Sequence, residues 1–291
     1  MKQDYKSEQA CKESKQKKVS KVLTIAGSDS GGGAGIQADM KTMQALHVYS
    51  MTAITAVTAQ NTTGVQQVFP VSTDMVVQQI TSVSEDIGFD AVKTGMLYDA
   101  SMIEVVAHLA QSQQWQHLVM DPVMMAKGGA PLLKESAVEA LKQLLIPCAF
   151  IVTPNLPEAE KLSGISIHHM EDVKKAAQHI AQLGAKHVLI KGGHANSGSD
   201  ESTDVLYDGS EFYSYTSKRV NTTQSHGTGC TLSAAIAAWI ARGESIYDAV
   251  QKAKAFIDAA LSSPLHIGTG HGPTNHWAYN NRNEPKWEVS T

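Results

Sequence analysis

The sequence predicts an α/β fold, with a parallel sheet covered by helices on both faces. Two observations predict it. Short apolar runs alternate with stretches of helical periodicity from Val22 onward, the signature of strands joined through crossover helices. No internal repeat or low-complexity linker divides the chain, so one large domain accounts for most of its 291 residues.

The elements follow in order. Val22 to Ala26 reads as a buried strand, ended by the turn-rich run Gly27-Ser-Asp-Ser-Gly-Gly-Gly33. Ile36, Met40 and Met43 then recur at helical spacing, as one apolar face would. Met51 to Ala59, with alternating Thr, Ile and Val, reads as a second strand. Ala91–Thr94, Leu118–Asp121, Phe150–Thr153 and Val188–Lys191 read the same way, with helical patterns near 74–86, 99–112, 133–145 and 170–183. The last third differs: Asp204 to Tyr215, with an Asp208-Gly209 turn, predicts a hairpin, and helices follow near 228–242 and 245–262. Ligands of such folds bind beyond the carboxyl ends of the strands, where most of the polar groups below fall.

Composition narrows the function. Hydrophobic residues at 42% supply a core, and 18% charged residues are too few for a disordered chain. A net charge of -4 leaves no basic footprint for nucleic acid. A neutral small molecule, or an anion held by local groups, fits better. Cys11, Cys148 and Cys230 show no CxxC spacing and make no disulfide framework, which points to a reducing compartment, the cytoplasm. No run of eighteen apolar residues predicts a membrane span. The start, MKQDYKSEQACKESKQKK, lacks an apolar segment and does not read as a secretory signal. Residues 1–19 are expected to be a flexible polar tail, 20–280 the domain and 281–291 a second tail.

The most informative segment is Ser225-His-Gly-Thr-Gly-Cys-Thr231, followed by an apolar run to Ile240 that predicts a buried helix. Gly227 and Gly229 let the backbone turn tightly and approach a ligand, and Thr228 lies between them. Unpaired N–H groups at a helix start make an anion site. Cys230 falls in the first turn, where a lowered thiol pKa is expected and a thiolate could deprotonate an attacking hydroxyl. The same pattern also describes a helix start around a small buried cysteine, and spacing does not separate the two.

Asn155 and Glu158, in Thr153-Pro-Asn-Leu-Pro-Glu158, stand three apart after a strand. An amide oxygen and a carboxylate suit magnesium. They equally form a capping box at a helix start, and spacing alone favours the cap. Gly27 to Gly35 has the glycines of a phosphate loop, but the chain holds no GxxxxGK[ST] element, and a dinucleotide fingerprint does not fit. For Asp39, in the following helix, spacing favours an exposed position over a site carboxylate. Asp121 and Lys191 end strands, where an α/β site places charges. The loop Ala126-Lys-Gly-Gly-Ala-Pro131 reads as a mobile flap or a polar connection. Among the twelve histidines no HExxH occurs, and His266, His271 and His276, five apart, have no zinc spacing.

Taken together, LTIAGSDSGGGAGIQADMKT (23–42), TAITAVTAQNTTGV (52–65), VKTGML (92–97), DPVMMAKGG (121–129), TPNLPEAEKL (153–162), IKGGH (190–194), HGTGCTLSAAIAA (226–238) and GHGPTNHWAY (270–279) resemble the ribokinase-like superfamily. Within it they resemble the hydroxymethylpyrimidine/phosphomethylpyrimidine kinases of thiamine biosynthesis, from about Lys21 to Tyr279. The resemblance implies a three-layer α/β/α sandwich that transfers phosphate from ATP, with Mg2+, to a hydroxymethylpyrimidine and then to its monophosphate. It further implies that Gly227, Thr228 and Gly229 form an anion hole with Cys230 as base, and that Asn155 and Glu158 organise magnesium. Lys191, Asp121 and Lys254 would lie near the nucleotide phosphates. Gln60 would read the pyrimidine edge, with Gly27, Ala34, Met96 and Val123 lining the ring pocket. A homodimer is implied as well. Pyridoxal kinase of the same branch is the nearest alternative. Ala59-Gln60-Asn61 and His226-Gly-Thr-Gly-Cys230 favour the pyrimidine enzyme over its Met-Asp and HGAGC. A non-catalytic pyrimidine-binding protein is the alternative of another class.

Overall fold

The structure is a computed structural model and describes residues 18–125, 129, 132–192 and 200–281. The expectations for residues 1–17 and 282–291 lie outside these, as do those for the 126–131 loop apart from Gly129 and for residues 193–199.

Nine strands form one sheet. In chain order they are β1 (Lys21–Asp29), β2 (Tyr49–Asn61), β3 (Gly64–Pro70), β4 (Ala91–Thr94), β5 (Leu118–Met120), β6 (Ile151–Val152), β7 (His187–Ile190), β8 (Glu201–Tyr207) and β9 (Phe212–Lys218). Their order across the sheet is β3-β2-β1-β4-β5-β6-β7-β8-β9. The six from β2 to β7 run parallel, and β3, β8 and β9 add antiparallel margins.

The helices are α1 (Gly35–Ala45), α2 (Thr73–Asp86), α3 (Ala100–Ser112), α4 (Glu135–Ala140), α5 (Leu156–Ser163), α6 (Met170–Gln182), α7 (Thr228–Ala241), α8 (Ile246–Ser262) and α9 (Ala278–Asn281). From α4 the chain continues through a widened π turn, Leu141–Leu145, and a 3₁₀ turn, Ile146–Cys148. Side chains alternate across a strand, so each strand feeds two cores. Leu23, Leu118 and Val188 meet α2, α3 and α6 on one face; Val22, Val119 and Leu189 meet α1, α7 and α8 on the other. This is the expected three-layer arrangement, with helices on both faces of a mostly parallel sheet.

One local expectation fails, and one strand was not anticipated. Met40 is exposed, because α1 turns Ile36, Ala38, Asp39, Thr42 and Met43 inward instead. Strand β3 went unread: GVQQVFP lies at the sheet margin with little buried on either face, so its apolar residues show no clear alternation. The expected hairpin is β8–β9, closed at Asp208, whose Oδ1 accepts from the N–H groups of Ser210 and Glu211.

Candidate active site

The carboxyl ends of β1, β2, β4, β5, β6 and β7 open on one side of the sheet, facing the start of α7. Gly227 caps α7 at φ +81°, and a Cβ there would stand 1.8 Å from the Gly33 carbonyl oxygen. Only glycine fits this junction between the first loop and the last third of the chain. No side chain caps the helix. Its first turn therefore presents N–H groups to the cleft, backed by the positive end of the helix dipole. From Thr231 to Ile240 every residue is buried.

Cations and carboxylates gather at that helix start. Lys191 Nζ lies 2.8 Å from Asp121 Oδ1, and a Cβ on Gly229 would lie 3.3 Å from the same ammonium. Glycine at 229 thus lets the Lys191 charge stand against the first turn of α7. Asp121 is buried, and the hydroxyls of Thr153 and Ser233 donate to it over 3.4 Å. Burial alone would lower the pKa of Lys191, but Asp121 and Glu158 more than offset this and raise it.

Asn155 and Glu158 make a reciprocal capping box: each side chain accepts the other's backbone N–H at 2.9 Å. Glu158 is nonetheless buried, and burial pushes its carboxyl up to about 7, with Lys191 pulling down and Asp121 pushing up. Lys254 reaches the same cleft from α8, tied to Asp204 Oδ2 at 2.9 Å and to the Ser202 carbonyl oxygen at 3.2 Å.

Cys230 is half-buried at the floor. The helix start does not lower its pKa: burial pushes the thiol up to about 11, against the opposing pull of the Lys93 ammonium. Asp39 and Asp121 add to the rise, while the Gly35 N–H favours the thiolate. Behind the thiol lies a group that sequence reasoning missed. Lys93 bridges both oxygens of Asp39 at 3.0 and 2.9 Å, and Thr24 donates to the same carboxylate over 2.6 Å. Asp39, expected on the surface, is fully buried. A lysine inside the short strand AVKT was the available signal, since a buried lysine requires a partner.

Another part of the cleft wall is apolar. Gly27, Ala34, Met96 and Val123 line it. A Cβ on Gly27 would come within 2.9 Å of the Met96 methyl, so the glycine makes room for that side chain. Gln60, at the end of β2, lies 3.1 Å from His226 Nε2, which in turn lies 2.9 Å from Asp29 Oδ2. Asp29 also accepts from the N–H groups of Gly31, Gly33 and Ala34. Burial would raise its pKa, but His226 and these N–H groups hold it below the ordinary value. Asp29 and His226 were missed as well. A short acidic side chain opening a glycine-rich turn was the clue to the first.

Every site residue read from the sequence borders this one cleft of ≈ 880 Å³. That volume suits a nucleotide beside a small ring. Among the described residues no cluster of three His, Cys, Asp or Glu could hold a metal ion, and no helix is long and apolar enough to cross a membrane.

Known proteins resemble the chain over most of its length. The family model described as phosphomethylpyrimidine kinase matches residues 29–275. A Bacillus subtilis protein named hydroxymethylpyrimidine/phosphomethylpyrimidine kinase is 53% identical over 261 residues, 90% of this chain and 96% of that protein. A phosphomethylpyrimidine kinase structure from Clostridium difficile superposes with TM-score 0.75 at 44% identity, covering 84% of this chain and 100% of the other. A Staphylococcus aureus pyridoxal kinase, solved with AMP-PCP and pyridoxal, gives TM-score 0.83 at 41% identity, covering 90% of this chain and 95% of that one. With a matched region that runs from the Gly-rich loop to the segment after α8, the chain belongs to the phosphomethylpyrimidine kinase family and is a phosphotransferase.

Proposed function

We propose that the chain phosphorylates the hydroxymethyl group of 4-amino-5-hydroxymethyl-2-methylpyrimidine from ATP, and then the monophosphate to the diphosphate, within thiamine biosynthesis. One observation carries this reading: an apolar wall of Gly27, Ala34, Met96 and Val123 and the Gln60 amide share a cleft with the Lys191 cation and the uncapped start of α7. A glutamine amide offers one donor and one acceptor side by side, which suits a ring nitrogen next to an amine.

In the transfer, the hydroxymethyl oxygen bonds to the γ-phosphorus, the bond from that phosphorus to the bridging oxygen breaks, and ADP leaves. The N–H groups of the first turn of α7 and the Lys191 ammonium are placed to hold the transferring phosphoryl oxygens. The hydroxyl proton passes to Cys230 Sγ as thiolate. With its pKa near 11, only about one thiol in 10³ is ionised at pH 8. Lys93, behind it, favours that form. Glu158 offers a divalent cation a carboxylate beside Asp121, and a cation there would favour the ionised form that burial now disfavours, its carboxyl being pushed up to about 7. Asn155 and Glu158 would hold Mg2+, largely through water, and the ion would neutralise phosphate oxygens.

The test is incubation with ATP and Mg2+ and either the pyrimidine alcohol or pyridoxal, with ADP measured. Faster ADP formation with the pyrimidine is expected. A preference for pyridoxal would reassign the substrate, and no ADP with either would leave a binding protein.

A further inference from the structure

The neighbours of Gln60 oppose one orientation of its amide and satisfy the other. Gln60 Nε2 stands 3.1 Å from His226 Nε2, and Oε1 stands 3.2 Å from Thr58 Oγ1. His226 Nε2 also lies 2.9 Å from Asp29 Oδ2, a carboxylate that already accepts three backbone N–H groups. A carboxylate only accepts, so His226 Nε2 carries a proton; that single N–H is shared between Asp29 Oδ2 and the nearer end of the Gln60 amide, which must therefore be an acceptor. Thr58 makes the same demand from the other side. Its single hydroxyl proton goes to the Ser28 carbonyl oxygen at 2.8 Å, so toward Gln60 it can only accept. Amide oxygen and nitrogen are nearly the same size, and their assignment follows from such neighbours.

We infer that the Asp29–His226 pair, with Thr58, locks the Gln60 amide with Oε1 toward His226 and its NH₂ toward Thr58, and that this lock selects a 4-aminopyrimidine over its deaminated 4-oxo counterpart. The inference rests on the reading of Gln60 as the group that meets the ring. Locked this way, Oε1 keeps a lone pair for an exocyclic amine and Nε2 keeps a proton for an unprotonated ring nitrogen. The 4-oxo ring presents the opposite order, a carbonyl beside a protonated nitrogen. A freely turning glutamine would serve either ring by rotating its last torsion. This one would have to break its bonds to His226 and Thr58 to do so, leaving buried groups unpaired.

The histidine itself is held. Its backbone N–H donates to the Gly272 carbonyl oxygen at 3.0 Å, and its carbonyl accepts from Thr274. A Cβ on Gly33 would fall 2.5 Å from His226 Cδ2, so the ring lies flush on the Gly-rich loop. His226 and Asp29 are positioning residues, acting on the substrate through Gln60.

The experiment measures kcat/KM for the 4-amino alcohol and its 4-oxo analogue in the parent, His226→Phe, His226→Gln, Asp29→Asn and Gln60→Met. The parent is expected to prefer the amino ring by at least about 10²-fold. His226→Phe should shrink that ratio at least tenfold, more through KM than kcat. Asp29→Asn should shrink it in the same direction, and His226→Gln, which restores a donor near the lost one, should recover part of it. If His226→Phe does not fold, judged by circular dichroism, Asp29→Asn and His226→Gln decide. The lock is overturned if Gln60→Met collapses the ratio while the His226 and Asp29 variants keep it. If Gln60→Met leaves the ratio unchanged, the ring reading itself falls, and the lock with it.

Discussion

Asp39 and Lys93 form an ion pair at 2.9 Å in which neither side chain has any solvent exposure. A pair taken wholly out of water gains little net stability, yet each partner is costly once the other is removed. Lys93→Met should therefore destabilise the chain by about 3–5 kcal/mol, read as a lower urea midpoint. Lys93→Met combined with Asp39→Asn should recover most of that loss, since no buried charge remains and the amide can still meet Thr24. Additive losses in the double variant would show that the two side chains do not act as a pair.

Glu158 gives a pH-dependent stability of defined sign. Its folded-state carboxyl titrates near 7, above an ordinary value of 4.5, so the folded state holds the proton more tightly than the unfolded chain. The favourable contribution is complete below pH 4.5 and is lost as pH rises through 7. Glu158→Gln keeps an oxygen for the Asn155 N–H and removes the ionisation. In the ligand-free protein with EDTA, it should raise Tm at pH 8 by roughly 5 °C, up to about 3 kcal/mol, with little change at pH 5. The same variant should bind Mg2+-ATP less well. An equal Tm gain at both pH values would remove burial of the charge as the cause.

Cys230 combines a proposed catalytic role with an unreactive resting state. Alkylation by iodoacetamide should be slow at pH 7.5 and climb with a midpoint near 11. If the thiolate takes the proton, log kcat should rise with pH between 7 and 10. Cys230→Ala should lose on the order of 10²–10⁴ in kcat. A flat kcat profile with near-normal turnover in Cys230→Ala would take the thiol out of the reaction.

Two glycines two positions apart should respond in opposite ways. At Gly227 a methyl would overlap the Gly33 carbonyl oxygen, and the backbone has positive φ, so Gly227→Ala should lower Tm or abolish soluble folding. At Gly229 the nearest atom is the far end of Lys191, 3.3 Å away, which can move. Gly229→Ala should leave stability unchanged or raise it by up to about 1 kcal/mol, as alanine does in a helix. It should still raise KM for ATP by displacing the Lys191 charge. Calorimetry and steady-state kinetics on the two proteins would show the split.

Parallel strands, crossover helices and the hairpin were legible because their cores are one-sided or continuous, as in Val22–Ala26 and Val188–Ile190. Strand β3 was not, because a marginal strand buries too little to leave a pattern. The motif residues converge because an α/β sheet delivers its strand ends to one side, so their order in the chain already carried the cleft. Asp39 and Lys93 were hidden because spacing registers apolar periodicity, and each of these buried polar groups has its partner 54 residues away. The Cys230 pKa was misjudged for a related reason. The helix start is visible in the sequence, whereas the burial that outweighs it, and the Lys93, Asp39 and Asp121 charges around it, come from segments distant in the chain.

The contact between Asp29 and His226 spans 197 positions of the chain, and Gly33 meets Gly227 across a similar interval. The ring slot is therefore a seam between the earliest and latest parts of the polypeptide. A nascent chain can finish β1 to β7 without possessing a substrate site, which comes into being only when α7 docks on the Gly-rich loop. Non-local closures of this kind form late and slowly. A molecule lodged in the slot fastens that seam, so saturating substrate should slow proteolytic cutting near Ser225 more than cutting in α6. The kinase is in this sense completed by its own ligand, last made and first to open.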